Sequence, residues 1–464
     1  MTIFPDFLEN KTMFDEKDFF DGNKFKFYEF ALFLYEEYHG CYIDNRPHVF
    51  TGKKYEPLNI DVVRKITIKY IPSLREQQNK EVFQKLKTLC LGNHQEQCPA
   101  RYIGLNNGIY DTVEERLNPF SPQYYITNII DVDFDKGAQS DLIERFIKDI
   151  SNEDEEVEQL IYEMIGYGLY RDNFLQVAFF YYSPGGNGKT TLLKLLHHFY
   201  NPENTTALSF NDLNDKFKPA NLQGKLVNIA DDIDPNRIKD TGNFKIIVTG
   251  NYITLEFKGQ DAFEFKPYVK LIFASNELPL SNDKSEGFYR RMVIIPMLRK
   301  FGKDGQKKDP MLLNKLITPH NMSALLNLAL KGLKRTLDNN EIIEPQVARK
   351  TKEEYQHDNN PVLQFIEDAE DKDYRQLPVV EGRNTDKAYE IYQIWCANNG
   401  YHHMNKMNFS KELSKLGYKS VAYWSKAQEK TKRFYVKDTT NVIYDSNGII
   451  LKILRYSVRN IRRV

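Results

Sequence analysis

A lysine and a threonine set directly behind a run of glycines are suited to hold a chain of phosphates. This sequence carries such a run at Gly185-Gly186-Asn187-Gly188-Lys189-Thr190, with Thr191 next. Glycines let the backbone curl so that successive N–H groups face one anion. A helix that begins at the same point adds the partial positive charge of its N-terminus. Lys189 can then reach the outer phosphates, and the Thr190 hydroxyl can ligate Mg²⁺. The flanks supply the elements that must position these groups. The apolar run Leu175-Gln176-Val177-Ala178-Phe179-Phe180-Tyr181-Tyr182 reads as a buried strand, and Leu192, Leu193, Leu195 and Leu196 recur at helical spacing. Strand, glycine turn and helix, in that order, are what the motif G-x-x-x-x-G-K-[ST] requires. Ser183 stands where the first glycine is usual, a departure expected to be tolerated because the glycines beside Lys189 remain.

Three further groups follow at strand ends. Asp231-Asp232 comes directly after the run 225–230. One carboxylate there can hold Mg²⁺ through water and its neighbour can orient an attacking water, although an ordinary acidic turn has the same composition. Asn276 closes the run 269–275 and can polarise a terminal phosphate, the plainer reading being a turn residue before Glu277-Leu278-Pro279. Arg290-Arg291 precedes the run 292–295. A guanidinium is suited to neutralise transition-state charge on a phosphoryl group, and one that reaches a neighbour's site makes hydrolysis depend on a ring. A solvated basic pair is the alternative. Which of the two arginines would act is open.

The 464 residues allow two to four domains with real cores, and Lys+Arg and Asp+Glu balance at 64 each. That balance argues against a uniformly basic coat while leaving room for a local basic patch. No apolar run approaches the ~20 residues of a membrane span, and the opening residues Met1 to Asp6 lack a basic head followed by an apolar stretch, so no membrane partner and no secretion signal are expected. Four cysteines, Cys41, Cys90, Cys98 and Cys396, fit a reducing cytosol and hence a cytoplasmic protein. With His39 and His94 they match none of the usual zinc spacings and read as free thiols.

Short apolar runs joined by helical stretches indicate an α/β sheet. Residues 1–140 read as a mixed α/β domain, with amphipathic helices over 27–38 and 80–91, a hairpin or loop at 42–46, and a turn at Asn107-Gly108. The stretch 151–156 reads as a helix start, with Ser151 as cap and acids in the first turn. Residues 141–336 would form the phosphate-binding domain, 337–360 a polar linker containing one charged helix, and 361–464 a smaller domain.

The order and spacing of these four groups resemble superfamily 3 helicases, and more closely the phage, plasmid and poxvirus primase-helicase family. The likeness extends to 107–111 and 163–169 before the loop, to 250–258 with 263–267, to Leu271-Ile272-Phe273-Ala274-Ser275-Asn276-Glu277-Leu278-Pro279, and to 324–333. It implies an AAA+ sheet and a hexameric ring. ATP and Mg²⁺ would sit on Lys189 and Thr190, with Asp231 and Asp232 as the acidic pair, Asn276 as sensor, and an arginine acting across the subunit interface. A β-hairpin over 257–263 would enter the ring channel, where Lys258 can meet a phosphate of single-stranded DNA and Phe263 a sugar or base. The N-terminal module would be a collar for the ring. Family members often carry a primase ahead of the helicase; about 140 residues leave no room for one, so no primer synthesis is expected. The layout looks like the stand-alone replication proteins of staphylococcal-type mobile elements, with movement 3′ to 5′.

After the linker, three helical stretches and two strand-like pieces, 433–436 and 448–454, resemble a winged helix. From Lys406 onward basic residues far outnumber acids, among them Lys411, Lys415, Lys432 and Arg433. That fits a surface for duplex DNA, such as a specific origin, with a solvated face or protein-docking surface as the alternative. Tyr401, Tyr423 and Trp424 read more readily as core than as contacts. The reading reached is an ATP-dependent, ring-forming replicative DNA helicase that also serves as initiator. An origin-binding ATPase switch without strand separation is the alternative, and a DNA-packaging ATPase fits less well.

Overall fold

The computed structural model describes residues 15–183, 185–231, 238–299, 301, 309–371, 380, 383–425, 430–437, 442–444 and 450–453. The chain divides into two compact units, Met1–Lys352 and Glu353–Val464.

The first unit begins with helices Phe27–Glu37, Ile60–Thr67 and Glu76–Cys90 and two three-stranded antiparallel sheets. Phe30, Leu34, Val63, Val82 and Leu86 are fully buried among them. In the second sheet, strands Tyr102–Leu105 and Gly108–Asp111 turn through Asn106 and Asn107, where the sequence signals a turn.

The part that carries the glycine run is built from α1 (Asp141–Ile150), α2 (Glu155–Leu169), β1 (Ala178–Tyr182), α3 (Lys189–Tyr200), β2 (Thr205–Thr206), β3 (Val227–Ala230), α4 (Gly242–Thr249), β4 (Ile253–Leu255), β5 (Phe263–Phe265), β6 (Lys270–Ser275), α5 (Glu286–Tyr289), β7 (Met292–Pro296) and α6 (Pro319–Asn339). Five strands form one parallel sheet in the order β2-β3-β6-β1-β7. β1, β3, β6 and β7 are buried along nearly their whole length, as parallel strands covered on both faces must be. β4 and β5 stand apart as an antiparallel hairpin.

α2 and α6 lie in close contact through two glycines. A Cβ on Gly166 would come 2.1 Å from the Ala329 carbonyl oxygen, and one on Gly332 would come 2.5 Å from the Tyr162 carbonyl carbon. The segments 163–169 and 324–333, noted for their resemblance, are thus the two sides of one helix crossing. The cap of α2 differs from the expectation. Ser151 has helical dihedrals and ends α1, its hydroxyl donating to the Lys148 carbonyl, whereas Asp154 is extended and accepts from the amides of Glu156 and Val157. A side chain can cap only from a non-helical residue, so the role falls to Asp154.

α6 runs three residues into the stretch 337–360, which also holds the helix Gln346–Asp358. In the second unit, helices Pro361–Asp371, Thr385–Asn398 and Lys406–Lys415 enclose Tyr392 and Phe409, whose rings stack at 4.5 Å. The two expected strand pieces correspond to Lys430–Val436 and Ile450–Ile453, but they belong to a sheet of four, joined by Lys419–Ser425 and Val442–Tyr444, with Lys419–Ser425 parallel to Ile450–Ile453.

Candidate functional site

β1 brings the chain to the carboxyl edge of the sheet, where ligands of open α/β sheets bind. The Ser183 amide donates to the Ser275 carbonyl at 3.1 Å. Ser183 is fully buried, and its hydroxyl accepts from the Gly185 amide at 3.3 Å, so the residue that departs from the glycine pattern braces the first bend of the loop. Gly185, Gly186 and Gly188 have φ of +99°, +73° and +82°, the left-handed region that disfavours side chains. At Gly188 space is also short, since a Cβ would lie 3.0 Å from Ile150 Cγ2 and 3.3 Å from Phe301 Cε2. Gly188 caps α3 without a side chain, so the first amides of that helix face the loop with no side-chain cap on them.

Three strand ends meet at Lys189. Its Nζ lies 3.2 Å from Asn276 Oδ1 and 3.4 Å from Asp231 Oδ1. The lysine side chain is nearly buried at 9% exposure, while the aspartate is 42% exposed. The amine is thus held by two oxygens of neighbouring strand ends at the mouth of a loop of amides, a place where phosphate oxygens can enter. Thr190 is exposed beside it and Thr191 half-buried. Asp232 lies outside the described residues. Asn187 is buried and donates its amide to the Met297 carbonyl, and the Phe301 amide donates to the Gly186 carbonyl at 3.0 Å, so the segment after β7 straps the loop.

The loop forms one side of a cleft of 970 Å³. Leu142 and Phe146 of α1, with Phe301, Leu312 and Leu313, form an apolar wall of the same cleft, Phe146 and Phe301 lying close beside the loop. A cationic, amide-rich end beside an apolar wall suits a molecule with phosphates at one end and a flat ring at the other. Sequence reasoning missed this wall. The apolar residues of α1 signal a buried helix face, and nothing in their spacing marks which of them border a cleft.

The remaining candidates lie elsewhere. The Ala178 amide donates to the Arg291 carbonyl, and β7 runs in register from Met292 beside Ala178 to Pro296 beside Tyr182. Arg290 and Arg291 therefore sit at the amino edge of the sheet, about 16 Å along a five-residue strand from their own phosphate loop. Arg291 is half-buried and donates Nη1 to the Gly287 carbonyl; burial first, then the neighbouring Arg290, lower its pKa. Arg290 is exposed. The β4–β5 hairpin leads into the same amino edge. Lys258 is exposed at its tip beside Gly259, whose φ is +78°. Phe263 is half-buried, its ring stacked on Phe257 at 5.4 Å and 15°, so this ring is engaged within the hairpin.

In the second unit, Lys411 and Lys415 are exposed on one helix, Lys415 pairing with Glu412 at 2.7 Å. Arg433 is exposed, its Nε donating to Ser420 Oγ at 3.0 Å, and Lys432 is half-buried. Tyr401 stacks on Trp395 at 5.1 Å; the side chains of Tyr423 and Trp424 lie outside the described residues.

Cys41, Cys90 and Cys396 are buried, and burial pushes the Cys41 and Cys90 thiols up to about 12. Among the described residues no group of three His, Cys, Asp or Glu is placed to hold a metal ion, and no helix is long and apolar enough to cross a membrane.

A parallel five-stranded sheet with a glycine loop between an inner strand, β1, and the helix α3 is consistent with the core of a P-loop protein. Three family models match the chain. D5 N terminal like covers residues 31–152, Poxvirus D5 protein-like covers 357–447, and a family of unknown function, DUF5906, covers 181–291 between them. The likeness to the phage, plasmid and poxvirus family read from the sequence is borne out, and the chain carries D5-type modules on either side of its P-loop core. Similar curated proteins include "Putative helicase L207/L206" of Acanthamoeba polyphaga mimivirus, 26% identical over 215 residues, which are 44% of this chain and 22% of that protein. "Putative helicase 121R" of Invertebrate iridescent virus 3 is 24% identical over 215 residues, 43% of this chain and 23% of that one. The matches thus span less than a quarter of the length of these relatives. Among solved structures, the A form apo structure of the NrS-1 C terminal region aligns with a TM-score of 0.49 and 11% identity over 88% of this chain and 98% of that one. The apo structure of the same region, residues 305–718, gives 0.49 and 12% over 88% and 99%.

Proposed function

We propose that this chain is an ATP-dependent DNA helicase of superfamily 3 that works as a ring, a hexamer by family resemblance, in the replication of a phage or related mobile element. The carrying observation is the meeting of Lys189, Asn276 and Asp231 at the carboxyl edge of the sheet, with Arg290 and Arg291 held at the opposite edge. One subunit then supplies the binding half of an ATPase site and its neighbour the arginine. The names of the viral relatives point the same way.

In this reading the loop amides and Lys189 cradle the ATP phosphates, and the base lies against the wall of Phe146, Phe301 and Leu313. Asn276 polarises the terminal phosphate. Asp231 and Asp232 form the acidic pair, of which Asp232 orients the attacking water. Thr190 and Asp231 would hold Mg²⁺, which supplies charge neutralisation on the phosphates when bound. Arg290 is the finger, because it is exposed while Arg291 is committed to the Gly287 carbonyl. Lys258 contacts a strand phosphate in the channel, with movement 3′ to 5′. Lys411, Lys415, Lys432 and Arg433 contact duplex phosphates in a winged-helix-like domain that loads the ring, at an origin where the protein is also the initiator.

The test is ATP hydrolysis with and without single-stranded DNA, for the natural chain and Lys189→Ala. Hydrolysis that DNA stimulates, and that Lys189→Ala abolishes with an unchanged unfolding midpoint, is expected. Hydrolysis by Lys189→Ala at the natural rate would remove the site assignment.

A further inference from the structure

The β4–β5 hairpin is too short to hold its own shape. It has three residue pairs, Ile253 with Phe265, Thr254 with Glu264 and Leu255 with Phe263. An isolated two-stranded hairpin is marginal in water even when longer, so something else must fix this one. Burial of Ile253, Leu255 and Phe265 and the Lys216–Glu256 ion pair at 2.9 Å supply part of the support, and a further part comes from a second hairpin some two hundred residues earlier in the chain. Strands Cys41–Ile43 and Arg46–Phe50 are joined by Asp44 and Asn45, both left-handed at φ +48° and +62°, a two-residue turn of the tight hairpin kind.

That turn grips the later hairpin at two points. Asn45 Nδ2 donates to the Glu264 carbonyl at 2.8 Å. The Arg46 guanidinium lies 5.0 Å over the Phe257 ring, whose other stacking partner is Phe263. A planar guanidinium suits the face of an aromatic ring better than an ammonium does. The turn is itself braced from behind: Tyr42 Oη donates to the Asn45 carbonyl at 2.9 Å, Gln223 Nε2 to the Asp44 carbonyl at 2.7 Å, and Gln97 Nε2 to the Asp44 carboxylate. Phe257 is the residue before Lys258, so the ring that Arg46 covers is the base on which the exposed lysine stands.

We propose that the Asp44–Arg46 turn is a positioning element of the motor, in which Asn45 and Arg46 fix the angle at which the hairpin presents Lys258 and thereby set how tightly ATP hydrolysis is coupled to movement along the strand. This rests on the reading of the hairpin as the strand contact. The N-terminal module is then a working part of the hairpin as well as a collar.

The test uses the full chain and the number of base pairs separated per ATP hydrolysed on a forked duplex. Asn45→Asp retains a residue that tolerates the left-handed turn but removes the donor. Arg46→Met retains an apolar stem over Phe257 but removes the cation. Each lowers the ratio about three- to tenfold, the effect of one hydrogen bond or one stacked cation. Hydrolysis without DNA and the unfolding midpoint stay at their natural values, and Arg46→Lys, which returns a cation to the ring, recovers part of the ratio. Lys258→Ala is run beside them. If it lowers the ratio while Asn45→Asp and Arg46→Met do not, the turn has no positioning role and the hairpin reading stands. If Lys258→Ala leaves the ratio unchanged, the hairpin reading fails and the inference with it. A fall in DNA-free hydrolysis or in the unfolding midpoint that matches the fall in the ratio would make the turn mere structural support and overturn the proposal.

Discussion

The position of β7 makes a quantitative demand on how subunits cooperate. Its five residues place Arg290 at the amino edge of the sheet while the phosphate loop lies at the carboxyl edge, about 16 Å away along the strand. An arginine so placed is remote from its own phosphate loop, and in the proposed ring it serves the neighbouring subunit. Removing a transition-state arginine from a phosphoryl-transfer site costs about 10³ to 10⁵ in rate, equivalent to about 4–7 kcal/mol. Arg290→Ala should therefore retain ATP binding and lose hydrolysis almost completely, as Lys189→Ala does for a different reason. The informative sample is their mixture, combined in equal amounts before assembly. A competent interface needs Lys189 from one subunit and Arg290 from the next, and random head-to-tail assembly supplies both at about one interface in four. Steady-state phosphate release should recover to about a quarter of the natural rate if interfaces act independently. A mixture as inactive as its components, or Arg290→Ala with natural activity, would refute the reasoning. Arg291→Ala is the internal control, losing stability through the Gly287 contact and retaining most of the chemistry.

Other consequences are simpler to state. Gly332→Ala pushes a methyl against the Tyr162 backbone and should lower stability by about 1–3 kcal/mol, read as a drop in the thermal midpoint; an unchanged midpoint would mean that the α2–α6 crossing can relax. Glu163 is 1% exposed, its Oε1 3.2 Å from Arg335 Nε without hydrogen-bond geometry, and burial raises its carboxyl from 4.5 to about 7 against the opposing pull of Arg335. The folded chain thus keeps a proton that the unfolded chain releases. This contribution is fully present below about pH 4.5 and declines by up to ~3 kcal/mol as pH rises to about 7. Urea unfolding of Glu163→Gln should show a flatter profile across that window, and profiles parallel to the natural chain would remove Glu163 as the cause. Ser183→Ala removes the acceptor for the Gly185 amide and should raise the KM for ATP a few-fold with little change in kcat, as expected for a bond worth about 1 kcal/mol; an unchanged KM would show that the loop holds itself.

The site was legible in the sequence wherever local chemistry fixes local geometry. Gly185, Gly186 and Gly188 announce positive φ, and Lys189 follows them at the helix start. Asn276 and Asp231 each end an apolar run, and a parallel sheet carries such ends to one edge. What was not legible depends on partners distant in the chain. Ser183 looked like a lost glycine because its use, a hydroxyl on the Gly185 amide, appears only once the loop is folded. The wall of Phe146, Phe301 and Leu313 joins segments up to 167 residues apart, and each reads simply as core. Ser151 and Asp154 are equally good caps by residue type; the backbone chose, since Ser151 completes α1 and only Asp154 is extended. The 42–46 stretch read as a hairpin or loop, but nothing in it indicated that Asn45 would reach Glu264. In the second unit, Lys419–Ser425 went unread as a strand because Tyr423 and Trp424 drew the reading toward core and contacts.

The most direct test of the central claim is strand separation on forked duplexes bearing a 3′ or a 5′ single-stranded tail, with ATP and Mg²⁺, for the natural chain and Lys189→Ala. The account predicts separation of the 3′-tailed fork only, lost completely in Lys189→Ala. A fork that stays paired in both forms while DNA-stimulated hydrolysis proceeds at full rate would contradict it, and would leave an ATPase that binds DNA without moving along it.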